Sequence, residues 1–226
     1  MNISRHRFLM LQILKDIYED KLLAGNLGFK GGTALMFFYQ LPRFSVDLDF
    51  NLINNEQIDN IYDNIRKILL KYGKIDDEAK KYFGMILVLD YGKDERKLKI
   101  EVSTRFFDDH YEVKNLMGIS MRVMLLQDMF AYKLCALLDR KIFTNRDLYD
   151  TWFLLQKNSP INKNIIEQRM NQKFRDYIQN CIQTLEKMSD KGLLNGLGEL
   201  MDESQKQFVK MKLCSETISL LNFLIN

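Results

Sequence analysis

Phe29-Lys30-Gly31-Gly32-Thr33-Ala34-Leu35, followed by Pro42-Arg43-Phe44-Ser45-Val46-Asp47-Leu48-Asp49-Phe50, is the stretch whose reading decides the fold. Two glycines ahead of the apolar run 34–39 place a turn at the start of a helix. Glycine permits close backbone approach, and the unpaired N–H groups of a first helical turn attract anions. Thr33 is read as the N-cap of that helix. Leu41-Pro42 closes it, because proline cannot continue a helix. Val46 to Phe50 alternates apolar and polar residues as a strand does, and strand side chains repeat every two residues. Asp47 and Asp49 therefore face the same way.

Working outward, residues 4–23 and 55–72 carry apolar residues at helical spacing, and 84–91 and 97–103 read as paired strands joined by the charged turn Gly92 to Arg96. The second of these strands alternates strictly, so Lys97, Lys99, Glu101 and Ser103 share one face. A short strand at 119–124 follows, and the remainder is helical: 125–139, 146–156, 163–188 and an apolar tail at 218–225. The expectation is an α/β (α+β) fold: a core over 1–124 with a small mixed sheet flanked by helices, then a helical domain over 125–226.

Composition excludes several classes. The apolar and charged shares, 46% and 28%, are those of an ordinary globular protein and leave no tract for a disordered tail. The first residues lead into a charged amphipathic segment, unlike a secretory leader, and no run of about 18 apolar residues offers a membrane span. Cys135, Cys181 and Cys214 lie too far apart for a CxxC pair, which fits a reducing, cytoplasmic setting. A net charge of +3 permits a nucleic-acid partner without arguing for one.

Two carboxylates on one strand face make a hard-oxygen site for Mg²⁺ or Mn²⁺, and Glu101 on a neighbouring strand is the candidate third ligand. Taken alone, an Asp-x-Asp is more often a solvated strand edge. The glycine turn changes the weighting: Gly31, Gly32 and Thr33 can cradle phosphates, and the acidic pair begins fourteen residues after Thr33. Together they supply both halves of a nucleoside triphosphate site. Arg43, between the two, carries a guanidinium that can reach phosphate. Lys133 on an apolar helix either snorkels to solvent or points into a cleft. Asp147 and Asp150 share a helix face, where a salt-bridged helix start competes with a catalytic role. His6 and His110 have no ligand-spaced partners, Trp152 and Phe153 read as core, and Met117, Met121, Met124 and Met129 read as core filling.

The segments 30–35 and 42–50, with Ala131-Tyr132-Lys133-Leu134-Cys135-Ala136-Leu137-Leu138-Asp139-Arg140 and Arg146-Asp147-Leu148-Tyr149-Asp150, resemble the AbiEii/AbiGii toxin family of nucleotidyltransferases across residues 26–155. The resemblance implies a DNA polymerase β-like nucleotidyltransferase core and a bacterial toxin, of a toxin–antitoxin or abortive-infection system, that consumes NTP. It further implies a cognate antitoxin protein and, for some members, an RNA acceptor such as the tRNA 3′ end. By motif, Ser45 and Asp47 belong to the metal and nucleotide site, Asp49 is a second ligand, Lys133 contacts triphosphate and Asp150 is a later catalytic acid. Glu101 departs from the Asp common in related enzymes. The rival expectation is a non-catalytic nucleotide-binding protein on the same fold; a metal nuclease would share the carboxylates but gain nothing from the glycine turn.

Overall fold

A computed structural model describes residues 2–54, 57–140, 142–188 and 192–225. The chain divides into two compact units. The first comprises Met1–Gln40, Ser45–Phe106 and His110–Met124, and the second Leu41–Phe44, Phe107–Asp109 and Leu125–Asn226.

In the first unit, α1 (Ile3–Glu19) is capped by Asn2, whose side chain accepts from the Arg5 N–H, and buries Met10, Ile13, Leu14 and Ile17 at helical spacing. The single opening helix expected over 4–23 is two helices. Asp20 adopts an extended conformation and its side chain accepts from the N–H groups of Leu22 and Leu23, which starts α2 (Lys21–Asn26). The chain continues through β1 (Leu27–Lys30), α3 (Gly31–Tyr39), β2 (Leu48–Leu52), α4 (Ile58–Leu69), β3 (Lys74–Lys81), β4 (Gly84–Asp90), β5 (Leu98–Ser103), β6 (Tyr111–Leu116) and β7 (Ile119–Met124). The helix expected from residue 55 begins at Ile58, and residues 55 and 56 lie outside the described residues.

The strands form one seven-stranded sheet in the order β3-β4-β5-β2-β1-β7-β6. β2/β5 and β1/β7 are parallel, and the other neighbours are antiparallel. The fold is thus a mixed α/β arrangement, as expected, with three more strands than the sequence pattern revealed. β1 is only four residues long, and β3 and β6 are the sheet's largely exposed edges. One methionine departs from expectation: Met117 sits at φ 52° in the β6–β7 turn and is exposed, while Met121, Met124 and Met129 are core.

The second unit consists of α5 (Leu126–Asp139), α6 (Asn145–Gln156), α7 (Lys163–Met170), α8 (Phe174–Glu186), a 3₁₀ turn at Gly198–Leu200, α9 (Glu203–Met211) and α10 (Leu213–Ile225). The continuous helix expected over 163–188 is broken after Met170, where Asn171 takes the left-handed conformation that terminates α7. Trp152 and Phe153 are core, as are all three cysteines. Residues 41–44 are tied to this unit by Phe44 N–H donating to Leu200 O at 3.0 Å and Gln205 Nε2 donating to Pro42 O at 3.2 Å. No described helix is long and apolar enough to cross a membrane.

Candidate active site

The glycine turn and the acidic pair meet in the first unit. β1 runs antiparallel to β2 with Lys30 opposite Asp49, and β5 runs parallel to β2 with Glu101 beside Asp49. α3 begins at Gly31, directly after β1. Gly31 stands at φ +82°, and a Cβ there would lie 2.4 Å from Asp49 Oδ2. Conformation and close approach both require glycine at this position. The first turn of α3 is thereby set against the carboxylate of Asp49.

Thr33 is not the N-cap expected of it. Lys30 occupies that position without a side-chain cap bond, and Thr33 is buried inside the helix. Its hydroxyl instead donates to the backbone carbonyl of Asp47 and lies 3.0 Å from Ser45 Oγ. Thr33 thus fixes the lead into β2 and the Ser45 hydroxyl together. At the residue before Asp47, buried His6 on α1 pairs through Nε2 with Val46 O at 2.9 Å and through Nδ1 with Tyr91 Oη at 2.7 Å.

β2 begins at Leu48, so Asp47 stands one residue before the strand, where the sequence had placed it inside. Its charge still acts on Asp49. The Asp49 pKa is raised, first by burial, against the pull of Lys99, and further by the negative charges of Asp47 and Glu101. Lys99 answers this face. Burial would lower its pKa, but Asp49 and Glu101 outweigh burial and raise it. Lys99 Nζ lies 2.7 Å from Glu101 Oε2.

The donor chemistry fits a hard divalent cation. Mg²⁺ binds through one or two carboxylates and completes its shell with water and substrate phosphates, which Asp47 and Asp49 allow. Among the described residues no three His, Cys, Asp or Glu side chains are grouped to hold a metal ion, and Glu101, the expected third ligand, is engaged by Lys99.

The second unit brings Arg43, Lys133, Asp147 and Asp150 together. Arg43 donates through Nε and Nη2 to the two carboxylate oxygens of Asp150 at 2.6 and 2.7 Å, a fork pair in which Asp150 is fully buried. Lys133 Nζ lies 2.8 Å from Asp150 Oδ2 and 2.9 Å from Asp147 Oδ1. Arg140 and the Thr144 hydroxyl also reach Asp147. Burial opposes the charge on Asp147, but Lys133 and Arg140 prevail and hold its carboxyl well below the usual range. Three cations face two carboxylates, leaving one unit of positive charge.

The sequence model of one protein family, "Nucleotidyl transferase AbiEii toxin, Type IV TA system", matches residues 12–213. The chain belongs to the AbiEii nucleotidyl transferase toxin family. It is a transferase enzyme of that family. Its fold is similar to that of two crystal structures from Helicobacter pylori. One, a candidate nucleotidyltransferase, is 21% identical with a TM-score of 0.64 over 99% of this chain and 94% of that one. The other, JHP933, is 22% identical with a TM-score of 0.62 over 99% of this chain and 91% of that one. No curated protein matches the chain.

Within this AbiEii chain the structure gathers Gly31, Gly32, Thr33, Ser45, Asp47, Asp49 and Glu101 in the first unit, and Arg43, Lys133 and Asp150 in the second. Lys99 was missed as a participant, although the alternation of 97–103 placed it on the face of Glu101. His6 was read only as a non-ligand. Nothing in its sequence spacing announced that it holds the residue before Asp47.

Proposed function

We propose that this chain transfers a nucleoside monophosphate from NTP to a hydroxyl of an acceptor RNA, tRNA being the first to test. It acts as the toxin of a pair restrained by an antitoxin. The observation that carries the reading is the close approach of the Gly31 backbone to the Asp49 carboxylate, which sets the glycine turn beside the acidic pair within one short span of chain. The family description supports the toxin role.

Asp47 and Asp49 would hold Mg²⁺ or Mn²⁺, which supplies neutralisation of triphosphate charge and activation of the attacking hydroxyl. The first-turn N–H groups of α3 at Gly31 and Gly32 bind phosphate oxygens, and the Ser45 hydroxyl joins them by turning from Thr33 to the phosphate. Lys99 balances the negative face and keeps Glu101 in place. Lys133 carries the triphosphate contact that the family resemblance assigns to it. Asp150 acts through Lys133 and Arg43 as a positioning residue. In the transfer the acceptor oxygen bonds to the α-phosphorus, the α–β bridging bond breaks, pyrophosphate leaves and the hydroxyl proton passes to solvent.

Pyrophosphate release from each NTP in turn, with Mg²⁺ and total bacterial RNA, tests this reading. Release is expected with one or a few nucleotides, and Asp47→Asn abolishes it. NTP binding without pyrophosphate release under any of these conditions would replace it with the non-catalytic binding protein.

A further inference from the structure

The tip of the β3–β4 hairpin carries aromatic rings that the fold leaves outside its core. Tyr82 is 91% exposed, Phe83 52% and, just beyond β5, Phe106 68%. Single exposed rings require no account, but Tyr82 and Phe83 are in contact, and the segment that carries Phe106 is tied to them by its backbone. Thr104 N–H donates to Phe83 O at 3.1 Å, which ties the residues after β5 to the hairpin tip. Gly84 pairs with Ser103 beside them, packed so closely that a Cβ would lie 2.1 Å from Val102 O. The tip is therefore anchored to the sheet. Tyr82 and Phe83 stand edge to face with centroids 4.6 Å apart, and the Arg105 guanidinium lies 4.4 Å from the Phe83 centroid.

The charged residues within the two segments that carry these rings are basic. Residues 79–84 and 103–106 include Lys80, Lys81 and Arg105 and no Asp or Glu. Lys80 is paired with Asp59, while Lys81 is exposed next to Tyr82. Rings open to solvent and flanked by cations suit a polyanion whose units each carry a flat face. Bases of a single strand stack on aromatic side chains and guanidinium planes while lysine and arginine meet the phosphates.

We propose that Tyr82, Phe83, Arg105 and Phe106 form a docking platform for single-stranded acceptor RNA. The proposal rests on the reading of the acceptor as RNA and adds the surface that holds it. Phe106 is five residues beyond Glu101, so the intervening chain spans at most about 18 Å. Glu101 neighbours Asp49 across adjacent strands, about 5 Å apart. A strand stacked on the platform therefore needs only a few nucleotides to bring its end to the acidic face.

The test is fluorescence anisotropy of a labelled single-stranded RNA of about 12 nucleotides, within the site sizes of such proteins, titrated with the full chain. It is run in wild type and in the Asp47→Ala background, where turnover cannot interfere. Tyr82→Ala with Phe106→Ala weakens binding about tenfold, Tyr82→Phe retains it, and Arg105→Ala weakens it and flattens its salt dependence. Circular dichroism and NTP affinity of the double variant stay at wild-type values, since these side chains are exposed. Unchanged RNA affinity in that folded variant would overturn the platform. So would concentration-dependent self-association that the same substitutions abolish, which would make the rings a protein interface. Ring-dependent RNA binding upholds the platform even where pyrophosphate release fails, so the two readings fall separately.

Discussion

A Cβ on Gly31 would lie 2.4 Å from Asp49 Oδ2, so the first residue of α3 and the second carboxylate of the acidic pair share a contact that only glycine permits. Gly118 provides the control. It has a similar φ of +85°, yet no atom lies within 4 Å of the Cβ it lacks. Alanine at either site incurs left-handed strain of about 1–2 kcal/mol, but only Gly31→Ala displaces Asp49. Calorimetric titration with NTP is expected to show at least a tenfold loss, on the order of 1.4 kcal/mol, in Gly31→Ala and no loss in Gly118→Ala. Equal affinities would detach the glycine turn from the nucleotide site.

Lys99 neutralises a face that includes Asp47, Asp49 and Glu101. Lys99→Met leaves those carboxylates in mutual repulsion, which a divalent cation relieves. The melting temperature of Lys99→Met without metal should fall below that of wild type, and its rise on adding Mn²⁺ should exceed the wild-type rise. A smaller rise would mean that Lys99 supports cation binding instead of opposing it.

The Arg43–Asp150 fork is buried, so removing one partner strands the other charge at a cost of about 3–5 kcal/mol. Denaturant unfolding should therefore show Asp150→Asn and Arg43→Met each strongly destabilised. Arg43→Met combined with Asp150→Asn should be less destabilised than the sum of its parts, since Lys133 keeps Asp147 as a partner. Strict additivity would show that the two side chains do not act as a pair.

His6 makes the stability of the first unit pH-dependent. Burial lowers its pKa from 6.5, so the folded state binds fewer protons than the unfolded state as pH falls through that value. Stability then rises with pH up to about 6.5 and levels off above it. Melting curves between about pH 5 and 8 should show this acid-side loss in wild type and a reduced slope in His6→Gln. An unchanged slope in the variant would assign the loss to other groups.

Much of this was legible in the sequence because it is local. The helix after Gly31, the alternation around Asp49 and the strict pattern of 97–103 are short-range signals with strong periodicity. β1 was too short to show a period, and β3, Lys-Ile-Asp-Asp-Glu-Ala-Lys-Lys, is a polar edge strand whose pairing with β4 supplies the order that its residues do not. Thr33 failed as an N-cap because its hydroxyl bonds forward to Asp47, a tertiary contact that outweighs local propensity. The Arg43–Asp150 pair spans 107 positions, and no spacing rule reaches that far. Lys133, which on its apolar helix either snorkels to solvent or points into a cleft, is part-buried and held by two carboxylates three residues apart.

The most direct test is transfer of label from each α-³²P NTP to total bacterial RNA with Mg²⁺, resolved on a denaturing gel, for wild type, Asp47→Ala and Asp49→Ala. Label on an RNA band, tRNA-sized if tRNA is the acceptor, with wild type alone is the predicted result. Label that persists in both variants, or wild type that binds NTP and labels no RNA, would contradict the assignment of Asp47 and Asp49 to nucleotidyl transfer onto RNA.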